Sequence, residues 1–147
     1  VLWRLSGSPV VPGSACSFTD VSRDSYAYEA IRWGTYYGIV SGYSGDSFGY
    51  GVPVNRQQLV TFLYRYAKNY AGDDTAAFEE TNILKYSDSM DIAKGMTQAF
   101  QWAIGAGYIS GTTDTTLSPL GPATRAQVAA IFSRYCNQCF LKVPVFG

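Results

Sequence analysis

Arg56 and Arg125 stand 69 residues apart in closely matched surroundings, Val54-Asn55-Arg56-Gln57-Gln58 and Ala123-Thr124-Arg125-Ala126-Gln127. Asn55 and Thr124 are residues that cap helices, and Gln58 and Gln127 follow three positions later, the spacing of a capping box. The pattern therefore predicts that each arginine sits in the first turn of a helix. There its planar fork lies beside backbone N–H groups that have no partner within the helix. The partial positive charge of the helix start adds to the guanidinium. Together they suit a carboxylate, which a bidentate pair would hold with direction as well as energy. A cation alone at a helix start is mildly unfavourable, so an anionic ligand or an aspartate partner is needed to favour it. Two readings stand: contact with an acidic ligand, or a bridge to an aspartate of the chain.

Asp20 and Asp88 are the matching carboxylates, in Phe18-Thr19-Asp20-Val21 and Tyr86-Ser87-Asp88-Ser89. Each can accept sugar hydroxyls, hold an arginine in place, or cap a turn or helix start. Chemistry of other kinds finds few residues. The chain has no histidine, no recognisable nucleophile setting and no phosphate-binding loop, and no carboxylate besides Asp20 and Asp88 recurs. An enzyme is the weakest reading, and neither metal nor cofactor is expected. Cys136 and Cys139 form a Cys-x-x-Cys at the end of a helical pattern, with Cys16 far away. A disulfide and idle thiols both remain open, while a metal ligand set is the weakest of the three readings, because structural zinc usually takes four ligands and the chain offers three cysteines and no histidine.

The elements that must position these residues also come twice. Gly38-Ile39-Val40-Ser41-Gly42 returns as Gly107-Tyr108-Ile109-Ser110-Gly111 at the same offset of 69. Repetition at a fixed period means one supersecondary unit used more than once. A first helix is expected over about Ser25–Tyr37 and again over about Ile92–Ala106, each ended by a glycine, Gly38 or Gly107. A loop rich in Gly, Ser, Thr and Asp follows, with Phe48 and Leu117 as apolar plugs. The capped second helix then carries Leu59, Phe62, Leu63 and Tyr66, or Val128, Ile131, Phe132 and Tyr135, as a core-facing stripe. Val1-Leu2-Trp3-Arg4-Leu5 resembles the end of such a helix.

The expected organisation is thus residues 1–17 as the tail of a preceding repeat and its linker, and 18–68 as a first full repeat. An acidic connector of solvated loop charge (69–85), a second repeat (86–136) and a C-terminal tail (137–147) follow. The fold class is mainly α. Trp33 and Trp102 match at the same offset, as core or groove wall or as a sugar-stacking platform. Gly42 and Gly111 close the repeated loop motif, where backbone geometry favours glycine.

Composition narrows the partners. The chain has 147 residues, 47% of them apolar, 15% charged and 16% aromatic, with zero formal net charge. That balance speaks against nucleic acid, whose binding draws on many Lys and Arg contacts to phosphate. No run approaches the roughly 20 apolar residues of a membrane span. Nor does the start read as a signal peptide, so an internal or processed piece is expected.

The ordered set of Phe18-Thr19-Asp20-Val21, the glycine loop, Phe48 and Asn55-Arg56-Gln57-Gln58 resembles the surface-layer homology repeat. Ser87-Asp88, Gly107–Gly111, Leu117-Ser118-Pro119 and Thr124-Arg125-Ala126-Gln127 carry the likeness again. The family's usual Glu is Gln58 and Gln127 here, which keeps the cap and drops a charge. The resemblance implies three repeats as a pseudo-threefold helical bundle, with two full repeats and the tail of an earlier one in this chain. It implies a non-catalytic, exported anchor at the cell wall that binds an acidic secondary wall polymer, often pyruvylated. The family's ligand residues fall on Arg56, Arg125, Asp20, Asp88, Gly42 and Gly111, with Trp33 and Trp102 beside them. Other copies, or the rest of a longer chain, would complete the third repeat. The alternative is a structural subunit of a surface layer or filament, in which the repeats make protein–protein contacts.

Overall fold

The apolar stripes and the glycines that interrupt them divide the chain into five α-helices in the computed structural model, which describes residues 1–13, 18–42 and 46–142. These are α1 (Leu2–Leu5), α2 (Tyr28–Tyr36), α3 (Arg56–Asn69), α4 (Thr97–Gly105) and α5 (Arg125–Lys142). Short 3₁₀ turns occupy Ala76–Phe78 and Ser89–Asp91. Among the described residues there is no β-sheet; Asn55 and Pro122 pair as an isolated antiparallel bridge. The mainly α class read from the sequence is the class observed.

The first helix of each repeat is shorter than its sequence pattern. Before α2, the Ser25 hydroxyl accepts from Ala27 N–H (3.2 Å) and Ser25 N–H donates to the Ser22 carbonyl (3.0 Å). Serine side chains that bond nearby backbone offer an alternative to the helix, and the start moves to Tyr28. Before α4, Gly95 takes a φ of 91°, which no right-handed helix passes through, so helix begins at Thr97 rather than Ile92. Both first helices end as expected, with Gly38 (φ 67°) and Gly107 (φ 83°) in the left-handed region. Helix α5 continues through Lys142, beyond the expected tail boundary at 137. The rest of that tail lies outside the described residues.

The chain forms two compact units, one of Val1–Val52 with Arg65–Asp73 and the other of Pro53–Tyr64 with Asp74–Gly147. Helix α3 thus gives its first nine residues to the second unit and the remainder to the first. In the first unit Phe18, Val21 and Ile31 form a buried cluster, with the Phe18 and Phe48 rings 5.4 Å apart. Beside it Trp33 packs against Tyr37, Tyr66 and Tyr70 at 5.0–6.0 Å. In the second unit Phe100 and Leu117 are fully buried, and Trp102 packs against Tyr64, Tyr108 and Tyr135.

The same side-chain ties close both helix pairs. Arg65 donates to the Ile39 carbonyl and Asn69 to that of Tyr37 (3.0 Å). Arg134 donates to Tyr108 (3.1 Å) and Gln138 to Ala106 (2.8 Å). The bonds to Tyr37 and Ala106 satisfy carbonyls at the C-caps of α2 and α4, and those to Ile39 and Tyr108 hold the chain just past the terminating glycines. Arg32 ties α2 to the Val11 carbonyl (3.2 Å), and its counterpart Gln101 ties α4 to that of Thr81 (3.1 Å).

Phe100→Ala removes a ring that is 0% exposed and should cost about 3–5 kcal/mol in urea denaturation. Leu84→Ala, at a side chain 74% exposed, should change stability by less than about 0.5 kcal/mol.

Candidate functional site

Each glycine loop is locked from inside by the aspartate that opens its repeat. Asp20 accepts N–H bonds from Phe48 (2.9 Å), Gly49 (3.0 Å) and Tyr50 (2.9 Å), and a hydroxyl bond from Ser47 (3.2 Å). Asp88 accepts from Leu117 and Ser118 N–H, both at 2.8 Å. Thr19 N–H to Asp46 O (2.9 Å) and Ser87 N–H to Thr115 O (2.8 Å) brace the two loops identically. So do Val52 N–H to Gly49 O (2.9 Å) and Gly121 N–H to Ser118 O (3.0 Å). Gly49 and its counterpart Ser118 both take positive φ, 84° and 51°. The two aspartates therefore shape loops rather than bridge to the arginines, among the described residues. These hydrogen bonds from Phe48, then Tyr50, Gly49 and Ser47, hold the exposed Asp20 carboxyl at a pKa of about 2, below the ordinary 3.8, against an opposing desolvation effect.

Gly42 and Gly111 belong to the interior of these loops. A Cβ at Gly111 would fall within 2.3 Å of the Thr113 carbonyl oxygen and 2.6 Å of that of Thr116. At Gly42, with φ 89°, it would come within 2.6 Å of the Phe18 ring. Trp33 and Trp102 are each 2% exposed, so neither presents a ring face to solvent. Their placement is that of the core reading.

Arg56 is where the pieces meet. The start of α3 seats on the Asp88-locked loop within the second unit. Arg56 N–H donates to the Gly121 carbonyl and Gln57 N–H to that of Pro119, both at 2.9 Å. Two N–H groups that a helix start leaves without partners are thereby satisfied by a loop distant in sequence. Ala123 N–H to Val54 O (3.0 Å) continues the contact. The Arg56 side chain follows its backbone inward and is 6% exposed. Nε donates to the Leu117 carbonyl at 2.9 Å, while Nη1 and Nη2 reach Gln127 Oε1 and Ser110 O only at 3.5 and 3.4 Å. All three acceptors are neutral oxygens. Burial pushes the guanidinium below its ordinary pKa and the charge of Asp88 acts in the opposite direction, yet no carboxylate forms an ion pair with Arg56 among the described residues.

The caps explain why Gln127 is available. Asn55 and Gln58 complete their box, with Gln58 N–H to Asn55 Oδ1 and Asn55 N–H to Gln58 Oε1 at 3.0 Å each. At α5 the Thr124 hydroxyl caps Gln127 N–H (3.2 Å), but the Gln127 side chain turns to Arg56. Gln57 likewise leaves its helix to accept from Ala93 N–H (2.9 Å). Arg125 differs from its twin: it is exposed, and no hydrogen bond or ion pair holds its guanidinium among the described residues.

Sequence reasoning missed the carbonyls of Ser110, Leu117, Pro119 and Gly121, because backbone acceptors carry no residue signature. It also misread part of the acidic connector. Glu79 is no solvated loop charge: it accepts from the hydroxyls of Tyr64 (2.7 Å) and Thr75 (2.5 Å) and from Gln98 Nε2 (3.3 Å). Cys136 is a half-buried free thiol, while Cys16 and the Cys139 side chain lie outside the described residues. No helix among the described residues is long and apolar enough to cross a membrane.

The sequence model of the S-layer homology domain matches residues 17–60 and 85–129, well over half of the chain. The Surface-layer 125 kDa protein of Lysinibacillus sphaericus is 27% identical over 124 residues, which cover 80% of this chain and 10% of that protein. The chain therefore spans about a tenth of the length of this curated relative.

Because folding lowers the Asp20 pKa, its hydrogen bonds stabilise the fold above the unfolded value near 3.8 and that contribution is lost as pH falls towards 2. Denaturation midpoints measured between pH 5 and pH 2 should fall for the wild type across this window. Asp20→Asn should be less stable at pH 5 and show a shallower fall.

Proposed function

Since this chain belongs to the S-layer homology domain family, we propose that it is a non-catalytic anchoring module binding an acidic, pyruvylated polysaccharide of the cell wall. The polymer would be held through Arg56 and Arg125. The observation that carries this reading is the state of Arg56. Its charge is sequestered from bulk water, its neighbours are neutral oxygens, and both Nη groups make only long contacts. A fork so placed has unused capacity for a carboxylate, and charge-assisted bonds in such surroundings are about twice as strong as neutral ones. A pyruvyl ketal presents a carboxylate on a sugar.

The other residues fall into supporting roles. Asp88 fixes the loop whose carbonyls hold Arg56, and Asp20 does the same for the first loop. Gly111 and Gly42 let the backbone pass where a side chain would collide. Trp33 and Trp102 pack in the aromatic clusters against the second helices, Trp33 on Tyr66 and Tyr70 and Trp102 on Tyr64 and Tyr135. Exported, surface-bound placement follows from the same reading, because the polymer lies outside the cell.

Co-sedimentation with purified wall sacculi tests the proposal. Wild type should pellet with native sacculi and not with sacculi stripped of pyruvyl groups by mild acid. Hydrogen bonds to charged groups contribute about 1.5–3 kcal/mol, so Arg56→Ala should weaken binding roughly tenfold or more. Arg56→Lys keeps the charge, loses the fork and should also bind weakly, with helix content unchanged by circular dichroism. Rising salt should weaken wild-type binding. Equal binding by all variants, or to stripped sacculi, would overturn the assignment.

A further inference from the structure

Glu79 and Glu80 are neighbours in sequence and are used differently. Glu79 is held by Tyr64, Thr75 and Gln98. Glu80 is exposed, and among the described residues no hydrogen bond or ion pair engages its carboxylate. It borders a cleft of about 470 Å³ between the connector and the start of α4, lined wholly by residues of the second unit. That volume lies within the roughly 300–1,000 Å³ of small-molecule sites.

Four aliphatic side chains line the cleft with it. Ile83 and Ile92 are buried, whereas Leu84 and Met90 are largely exposed and leave apolar surface at the solvent edge. Hydrogen bonds brace this lining. Asn82 Oδ1 accepts from Leu84 N–H (2.9 Å), Gln101 Nε2 donates to the Thr81 carbonyl (3.1 Å), and Ser89 N–H donates to that of Tyr86 (3.1 Å). No aromatic ring lines the cleft, so a sugar finds no face to stack on. No Lys or Arg lines it either, so nothing there pairs with an acid. Lys85, next to Leu84, lies over the Tyr86 ring at 5.0 Å from its centroid.

What the cleft offers is one carboxylate beside aliphatic surface. A charge against a low-dielectric wall concentrates ions of opposite sign. An ammonium on a chain of methylenes meets both halves at once, because its stem lies along apolar surface while its head stays in water. We infer that this cleft binds a primary ammonium carried on an aliphatic chain, with Glu80 on the ammonium and Leu84 and Met90 along the methylenes. A free alkylamine and a lysyl side chain of a peptide share that chemistry. Met90 suits the wall, since its flexible thioether adapts to the shape it meets. Ser89 and Thr97 add hydroxyls that can accept the remaining ammonium hydrogens.

The site belongs to one copy of the repeat. At the spacing that relates Asp88 to Asp20, Met90 and Ile92 correspond to Ser22 and Asp24, so the first repeat lacks this aliphatic wall. The inference is independent of the glycan reading: it concerns a cation rather than an acid, and its test contains no sugar.

The test is an NMR titration of the isotopically labelled chain at constant ionic strength, with n-pentylammonium, Nα-acetyl-lysine N-methylamide and pentanoate as probes. The ammonium probes should shift the amides of residues 80–84 and 89–92 saturably, with a Kd of about 1 mM for ligands of this size. Pentanoate, similar in length and opposite in charge, should not. Glu80→Gln keeps the shape and removes the charge, and should weaken ammonium binding about fivefold, the upper range for an exposed charge pair. Leu84→Ala trims the wall at an exposed side chain and should weaken it about threefold. Saturation by pentylammonium alone would support the site and make its occupant a free amine; saturation by the blocked lysine alone would support it and make the occupant a peptide side chain. No saturable shift at these residues with either ammonium would overturn the inference. So would equal shifts from pentanoate, or a Glu80→Gln variant that binds as tightly as wild type.

Discussion

The fold of the second unit depends on one constraint: a helix start must find partners for its N–H groups, and α3 finds them on a loop some sixty residues away. Gly121 and Pro119 supply two carbonyls to the backbone of Arg56 and Gln57, and Leu117 supplies a third to the Arg56 side chain. Those carbonyls face one way because Asp88 gathers the N–H groups of Leu117 and Ser118 on the other side of the turn. The Leu117–Ser118 peptide is held at both ends, its N–H on Asp88 and its carbonyl on Arg56. An aspartate with no direct hydrogen bond to the arginine thus decides where the arginine can sit.

This division of labour explains the chemistry of the site. A guanidinium buried against carbonyl oxygens is fixed in place without being neutralised, whereas an aspartate in ion-pair contact would have cancelled its charge. Only Nε has a short bond, so the two Nη groups keep capacity for a ligand. The repeat that places Asp88 in the loop and Arg56 at the helix start therefore separates the group that shapes the loop from the group that carries the buried charge.

Much of this arrangement could be read from residue types. The glycines that end α2 and α4, the caps at Asn55 and Thr124, and the apolar stripes of the second helices each have a local physical cause. Where the sequence reading fell short, the cause lay in competition or distance. Ser25 and Gly95 shortened helices whose apolar pattern extended further. Glu79 lies in a run of charge, and only tertiary structure brings Tyr64, Thr75 and Gln98 to it. Gln127 has the sequence of a cap, but its side chain serves Arg56 instead. The equal spacing of Arg56 and Arg125 also concealed how differently they are placed, since the repeat specifies a donor and leaves the identity of its acceptor to the fold.

Amide hydrogen exchange by NMR bears most directly on the seat of α3. Arg56 and Gln57 occupy helix-start positions whose N–H groups exchange rapidly unless something outside the helix accepts them. If Gly121 and Pro119 hold them, both amides should be strongly protected while those of Arg125 and Ala126 exchange at near-solvent rates. Rapid exchange at all four positions would contradict the docked start, and with it the buried setting of Arg56.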